Sequence, residues 1–213
     1  MNSDQKEILA RLKAEHPALC KLIPQVEEAF ALLKSAYDAG GKVMICGNGG
    51  SAADAEHIVG ELMKGFLSKR PLSEELKVEM KANCPEIEEK YLSLLQRAVP
   101  VIALPSFTAL NTAFCNDVEP ELVFAQSLMG LGKKDDILLC ISTSGNSKNV
   151  VAAALTAKAL GIKTIGLTGK TGGKLKSICD ICVCVPETET FKVQELHLPV
   201  YHYLCARVEE KLF

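Results

Sequence analysis

His57 and Glu61 stand four residues apart in MICGNGGSAADAEHIVGELMKG, residues 44–65, just after an apolar run and a glycine-rich break. On an α-helix that spacing puts an imidazole and a carboxylate on one face, about 6 Å apart along the axis. Such a pair can bind one metal ion, or one member can relay protons while the other orients it. A second group lies far downstream in VQELHLPVYH, which carries Gln194, Glu195, His197 and His202. Three of the protein's four histidines therefore fall in these two segments. His197 reads as a partly buried structural histidine. Gln194 and His202 are separated by about 12 Å of helix rise and about 80° of rotation, so one straight helix stretches both to reach a common atom. Either Pro199 kinks the helix between them, or the two serve sites shared between neighbouring subunits. The second is the expectation, and it requires an obligate oligomer.

Two polar loops accompany these groups. GNGGS (47–51) and STSGNS (142–147) each follow an apolar run and open a helical pattern. Both combine hydroxyls, glycines that let backbone approach a ligand, and the positive end of a helix, which together suit a phosphate. Ser51 and Ser147 have a plainer reading as helix caps. Neither loop is followed by Gly-Lys-Ser/Thr and neither has the GxGxxG spacing, so a nucleotide site is not indicated. LTGKTGG (167–173) reads as a glycine turn.

The elements that must position these residues follow from periodicity. Apolar runs at 43–46, 99–106, 136–147, 163–173 and 178–186 have the pattern of buried parallel strands ending in loops. Helical spacing occupies 4–15, 24–38, 52–66, 119–130, 147–160 and 190–212. Strands alternating with helices predict an α/β fold with helices on both faces of a parallel sheet and ligands at the strands' carboxyl ends. Residues 72–96, charged and split by Pro85, read as an inserted helical hairpin or cap. With no linker or low-complexity segment, one domain over 1–213 is expected.

Composition narrows the function classes. The formal net charge is −2, with basic residues scattered among acidic ones, which leaves no footprint for nucleic acid. No apolar run spans a bilayer and the amino terminus lacks a signal-peptide pattern, so a cytoplasmic location is expected. The nine cysteines lie mostly in apolar contexts and read as reduced core thiols. The C-x-x-C within SICDICVCV suits a buried strand better than a metal or redox site.

Taken in order, CGNGGSAADAEH, GEL, CND at 115–117, ISTSGNS, LTGKTGGKL and VQELHLPVYH resemble the phosphoheptose isomerases of the SIS (sugar isomerase) superfamily. The resemblance implies a flavodoxin-like sheet of five parallel strands, assembled as a homotetramer with active sites between subunits. It carries substrate contact to Asn48, Gly49, Gly50, Ser51, Glu61, Asn116, Asp117, Ser142, Thr143, Ser144, Ser147 and Gln194. It makes His57, Glu61, Gln194 and His202 a zinc site, with Glu61 and His202 also moving protons. The implied reaction is aldose–ketose isomerisation of sedoheptulose 7-phosphate to D-glycero-D-manno-heptose 7-phosphate through an enediol(ate). Two alternatives stand beside it: a non-catalytic scaffold like the relatives that associate with replication initiators, and action on another sugar phosphate. Gly65 stands where the family often has an arginine, with Lys64 one residue early, Phe191 stands where some members have an aspartate, and the 72–96 segment is longer than the family loop.

Overall fold

The computed structural model describes residues 9–213 except Arg11. The expected first helix, 4–15, lies partly outside the described residues; 12–15 are helical. A 3-10 turn, Pro17–Leu22, leads into α1, Ile23–Asp38, which opens with Pro24 in its first turn, where a missing N–H costs nothing. The strands are β1 Val43–Cys46, β2 Val101–Ala103, β3 Ile137–Ser142, β4 Lys163–Thr168 and β5 Ile181–Cys184. All pair in parallel in the order β2-β1-β3-β4-β5. This is the flavodoxin-like order, and it reverses between β1 and β3. The loops that leave those two strands are GNGGS and STSGNS.

The intervening helices are α2 Gly50–Met63, α3 Glu74–Asn83, α4 Glu89–Leu94, α5 Thr108–Asp117, α6 Val123–Leu131, α7 Lys148–Ala159, α8 Leu175–Ile178 and α9 Thr190–Leu212. Alternate strand residues feed two cores. Val43, Ile45, Leu139, Ile165 and Val183 meet apolar residues of α1, α2 and α9, while Met44, Cys46, Leu138 and Cys140 meet those of α6, α7 and α8. The sheet is thus buried on both faces, as parallel sheets require.

Several expected boundaries shift for local reasons. The helix expected over 52–66 stops at Met63 because Lys64 is extended. The strand expected over 99–106 is cut to three residues by a 3-10 turn that contains Pro105. Pro120 likewise splits the helix expected over 119–130 into a 3-10 turn and α6. Helix α5, not foreseen, has no fully buried residue, so its sequence carries little helical periodicity. The 72–96 excursion is two helices closed at the base by a Pro71–Gln96 bridge, and Leu92 is its only buried α3 or α4 residue.

One ion pair joins the end of α2 to α9. Arg70 is fully buried; its Nε donates to Glu209 Oε1 at 2.7 Å, and its other nitrogens donate to the Leu62 and Glu61 carbonyls at 2.7 and 3.1 Å. Glu209 also accepts from the backbone N–H groups of Phe66, Leu67 and Ser68. Arg70 thereby satisfies the last carbonyls of α2, which an ordinary helix end leaves without partners. Removing one member of a buried pair strands the other, so Arg70→Met should lower the unfolding free energy by about 3–5 kcal/mol. Lys163→Met, in a largely exposed pair with Asp180, should leave the stability nearly unchanged. Urea denaturation followed by circular dichroism measures both.

Candidate active site

Helices α2 and α9 lie side by side and run in the same direction. Near the start of α2, a Cβ on Gly50 would stand 2.3 Å from Gln194 Nε2, so the amide of Gln194 occupies the space glycine leaves. Two turns further along, the His202 and His57 rings meet edge to face with centroids 5.2 Å apart. His57 Nε2 lies 3.2 Å from Glu61 Oε1. The structure therefore brings His57, Glu61 and His202 together within one chain. His202 thus meets His57 of its own chain, while Gln194 stands at the level of Gly50. The helix runs through Pro199, and each residue meets its own level of α2, which resolves the 12 Å between them.

The charge states follow from burial. His202 is held below the ordinary imidazole pKa first by burial and then by the His57 charge, with Glu61 opposing. It is therefore a neutral imidazole at neutral pH, and its Nε2 is buried with no hydrogen-bond partner. His57 is anchored from the other side: Tyr201 Oη lies 2.9 Å from His57 Nδ1 and 3.4 Å from Asp54 Oδ1. Burial raises the Asp54 pKa, and burial first, then Asp54, raises that of the Tyr201 phenol. Tyr201 and Asp54 escaped the sequence reading, although both sit in the two helical segments singled out. A tyrosine beside a histidine looks like core, and only the helix pairing shows it reaching the next ring.

At the switch point the two polar loops touch. The Asn48 and Asn149 side chains exchange two hydrogen bonds of 2.9 Å, linking the β1 loop to the first turn of α7. Ser51 does not cap α2, and Ser147, at the N-cap position of α7, makes no capping bond with its side chain. Gly49 precedes α2, Ser51 is buried within its first turn, and the Ser147 hydroxyl pairs with that of Ser142 at 2.9 Å. Ser144 Oγ accepts from the Asn146 N–H, and the Thr143 carbonyl accepts from Gly169. An open cleft of about 400 Å³ lies over this junction, lined by Asn48, Pro120, Glu121, Ser147, Lys148 and Asn149. Asn116 and Asp117 are hydrogen-bonded to each other on the exposed end of α5, and the structure does not bring them into the group. Gly65 donates to Gln96, and the exposed Lys64 is the cation set against the Glu61 carboxylate, 3.7 Å from Oε2.

The donor set for a metal is two imidazoles and a carboxylate; the Gln194 amide stands apart, beside Gly50. The unpartnered Nε2 of His202 is the kind of atom a metal satisfies. Among the described residues, however, no three His, Cys, Asp or Glu side chains stand as a group that could hold a metal ion.

A five-stranded parallel sheet with hydroxyl loops at its switch point and a His–Glu–His cluster on two adjoining helices defines a flavodoxin-like α/β protein, and the SIS domain model matches residues 8–99 and 97–169. The chain is 38% identical over 206 residues to the phosphoheptose isomerase of a Nitratiruptor species, covering 97% of this chain and 96% of that one. It is 38% identical over 205 residues to that of Helicobacter pylori, covering 96% and 93%. The solved phosphoheptose isomerases of Francisella tularensis and Neisseria gonorrhoeae each superpose with a TM-score of 0.74, at 30% and 29% identity, over 99% and 98% of this chain and all of theirs. The chain belongs to the phosphoheptose isomerase family of SIS-domain proteins. No helix among the described residues is long and apolar enough to cross a membrane.

His197 is fully buried on α9, with neither ring nitrogen hydrogen-bonded. Burial pushes its pKa down to about 4, against a weaker upward pull from the Thr168 backbone. The unfolded chain therefore binds a proton that the native state refuses between about pH 6.5 and pH 4. Native stability should fall through that window as pH drops, by up to about 1.4 kcal/mol per pH unit. In His197→Phe the slope should flatten, as measured by urea denaturation at pH 7, 6 and 5.

Proposed function

We propose that this protein interconverts an aldose and a ketose phosphate, sedoheptulose 7-phosphate and D-glycero-D-manno-heptose 7-phosphate, at the cluster of Glu61, His57 and His202. The observation that carries the reading is the meeting of a carboxylate and two imidazoles beside two hydroxyl-rich loops in a member of this family. Ser51, Ser142, Thr143, Ser144 and Ser147, with the starts of α2 and α7, would hold the phosphate. Asn48, Gly49, Gly50 and Gln194 would hold the sugar chain.

Glu61 is the group that takes a proton from C1 of the ketose and returns it to C2, leaving an enediol(ate) between the two steps. His202, neutral because it is buried, passes a proton between O1 and O2 without first having to lose one. The His57 ring, fixed by Tyr201 at Nδ1, holds the Glu61 carboxylate in position. His57, Glu61 and His202 would hold one zinc ion, which when bound polarises the substrate carbonyl. We further propose a homotetramer in the cytoplasm.

Proton exchange at C1 and C2, followed by NMR in deuterated water, tests the reaction. Wild-type protein should exchange solvent deuterium into sedoheptulose 7-phosphate; binding without exchange would assign the fold a sensing or scaffolding task instead. Glu61→Gln should abolish turnover, by about 10²-fold or more, and still bind the sugar phosphate by calorimetry. An active Glu61→Gln enzyme overturns the assignment. Tyr201→Phe, which frees the His57 ring, should lower kcat about tenfold with KM nearly unchanged.

A further inference from the structure

The face of the sheet opposite the acid–base cluster carries a row of sulfur. Cys46 on β1 is in register with Cys140 on β3, Cys140 with Gly166 on β4, and Gly166 with Cys182 on β5. Gly166 leaves the row open, and two sulfurs fill the gap: a Cβ there would stand 2.9 Å from Cys182 Sγ and 3.4 Å from Cys179 Sγ. Cys184 Sγ is 3.7 Å from Cys182 Sγ, and Thr168 Oγ1 lies 3.4 Å from the former and 3.7 Å from the latter. Cys179, Cys182 and Cys184 are all partly exposed, whereas Cys46 and Cys140 are buried. A buried strand needs no such gathering of reachable thiols around an empty side-chain position.

We propose that Cys179 and Cys182 form a thiol modification site that a peroxide closes to a disulfide. In the first step the Cys179 thiolate attacks one peroxide oxygen; the S–O bond forms, the O–O bond breaks, and the departing hydroxide takes up a proton as water. The Cys182 sulfur then attacks the sulfenic sulfur, forming the S–S bond and expelling the hydroxyl, which leaves as water with the Cys182 proton. Two thiols and one peroxide become one disulfide and two waters. The assignment of roles has support beyond position. A hydrogen bond with the Cys140 thiol, aided by Thr164, holds the Cys179 pKa below the ordinary thiol value despite burial, while burial pushes that of Cys182 up to about 12. Attack by the thiolate is what makes a cysteine reactive, so Cys179 is the attacker and Cys182 the resolving thiol.

The site is mechanically connected to the phosphate loop. Drawing Cys182 toward Cys179 disturbs Cys184 and Thr168, its contacts on the other side. A Cβ on Gly172 would meet Cys184 Sγ at 3.0 Å, and the Gly172 carbonyl lies only 2.0 Å from where a Cβ of Gly145 would be. Gly145 turns the STSGNS loop with φ +65°, so the 169–173 turn transmits a shift at β5 to that loop. Closure of the disulfide therefore weakens sugar-phosphate binding, a consequence that rests on the function proposed above.

Full-length reduced protein treated with hydrogen peroxide, alkylated and digested with trypsin tests the site. The peptide 177–192, which carries all three thiols, should lose two alkylation sites together and regain them with dithiothreitol. Cys184→Ser should still form the link, and Cys179→Ser should not. Oxidation confined to the exposed Cys84, irreversible oxidation of Cys179 alone, or an undiminished link in Cys179→Ser overturns the proposal. Calorimetry with sedoheptulose 7-phosphate should show binding about tenfold weaker in the oxidised protein. Equal affinity before and after oxidation overturns the coupling, whereas no binding by the reduced protein overturns the proposed function and leaves the mass measurement to decide the thiol site.

Discussion

The register of α2 against α9 is the constraint on which the site depends. Three functional side chains project from two helices whose sequences are more than 130 residues apart, and a slip of one turn, about 5.4 Å, would separate them. The register is fixed at both ends. At the start of α2, Gly50 admits the Gln194 amide and no larger residue fits without displacing it. At the far end, Arg70 binds Glu209 of α9 and the terminal carbonyls of α2 at once. Between them Ala55, Ile58 and Leu62 join Val200, Tyr201, Leu204 and Val208 in one core. Apolar packing supplies most of the free energy but tolerates sliding. The ion pair tolerates none, since any displacement leaves a buried charge without its partner. Its value lies in selecting one register more than in added stability, because the desolvation of both ions offsets much of their attraction.

The same burial sets the protonation states along the seam. His202 and His197 are kept neutral, and Asp54 is pushed toward its neutral form. Glu61 sits at the edge of this dry zone, 15% exposed, with the His57 ring on one side and the exposed Lys64 on the other. A carboxylate at such a boundary can meet a substrate with little water in between. The geometry separates the roles: Glu61 is reachable, while Tyr201, behind it, is 2% exposed and reaches only its neighbours.

Much of this arrangement is legible in the sequence. Runs such as VMIC and ILLCIS announce buried parallel strands, and glycine- and serine-rich loops after two of them mark the switch point. The i, i+4 spacing of His57 and Glu61 suffices to place them on one face. What cannot be read is anything decided by contact between distant segments. Arg70 lies in SKRPLS, which looks like an exposed basic loop, and nothing local says that it is wholly buried against Glu209. Gln194 and His202 look too far apart for one helix because one partner atom was assumed; a parallel neighbouring helix gives each its own level. Helix α5 hides for the opposite reason, since it buries none of its residues fully and so shows no apolar stripe.

The polar loops carry a further consequence of the helix starts. Side chains that could cap α2 and α7 are present but turned elsewhere: the Ser147 hydroxyl points to Ser142, and Ser51 lies inside the first turn. A missing cap costs about 0.5–2 kcal/mol of helix stability. Two uncapped helices therefore begin at adjacent points of one sheet, their first turns tied together by Asn48 and Asn149. An anion seated between them would complete both starts at once, and the macrodipoles of both would favour its charge. The stability the loops forgo in the free chain would then be returned on binding, and hydroxyls and backbone would recognise the anion without a buried lysine or arginine. That leaves Lys64, the exposed cation beside Glu61, free of any duty to the phosphate and next to the part of the cluster where the sugar's reacting carbons would lie.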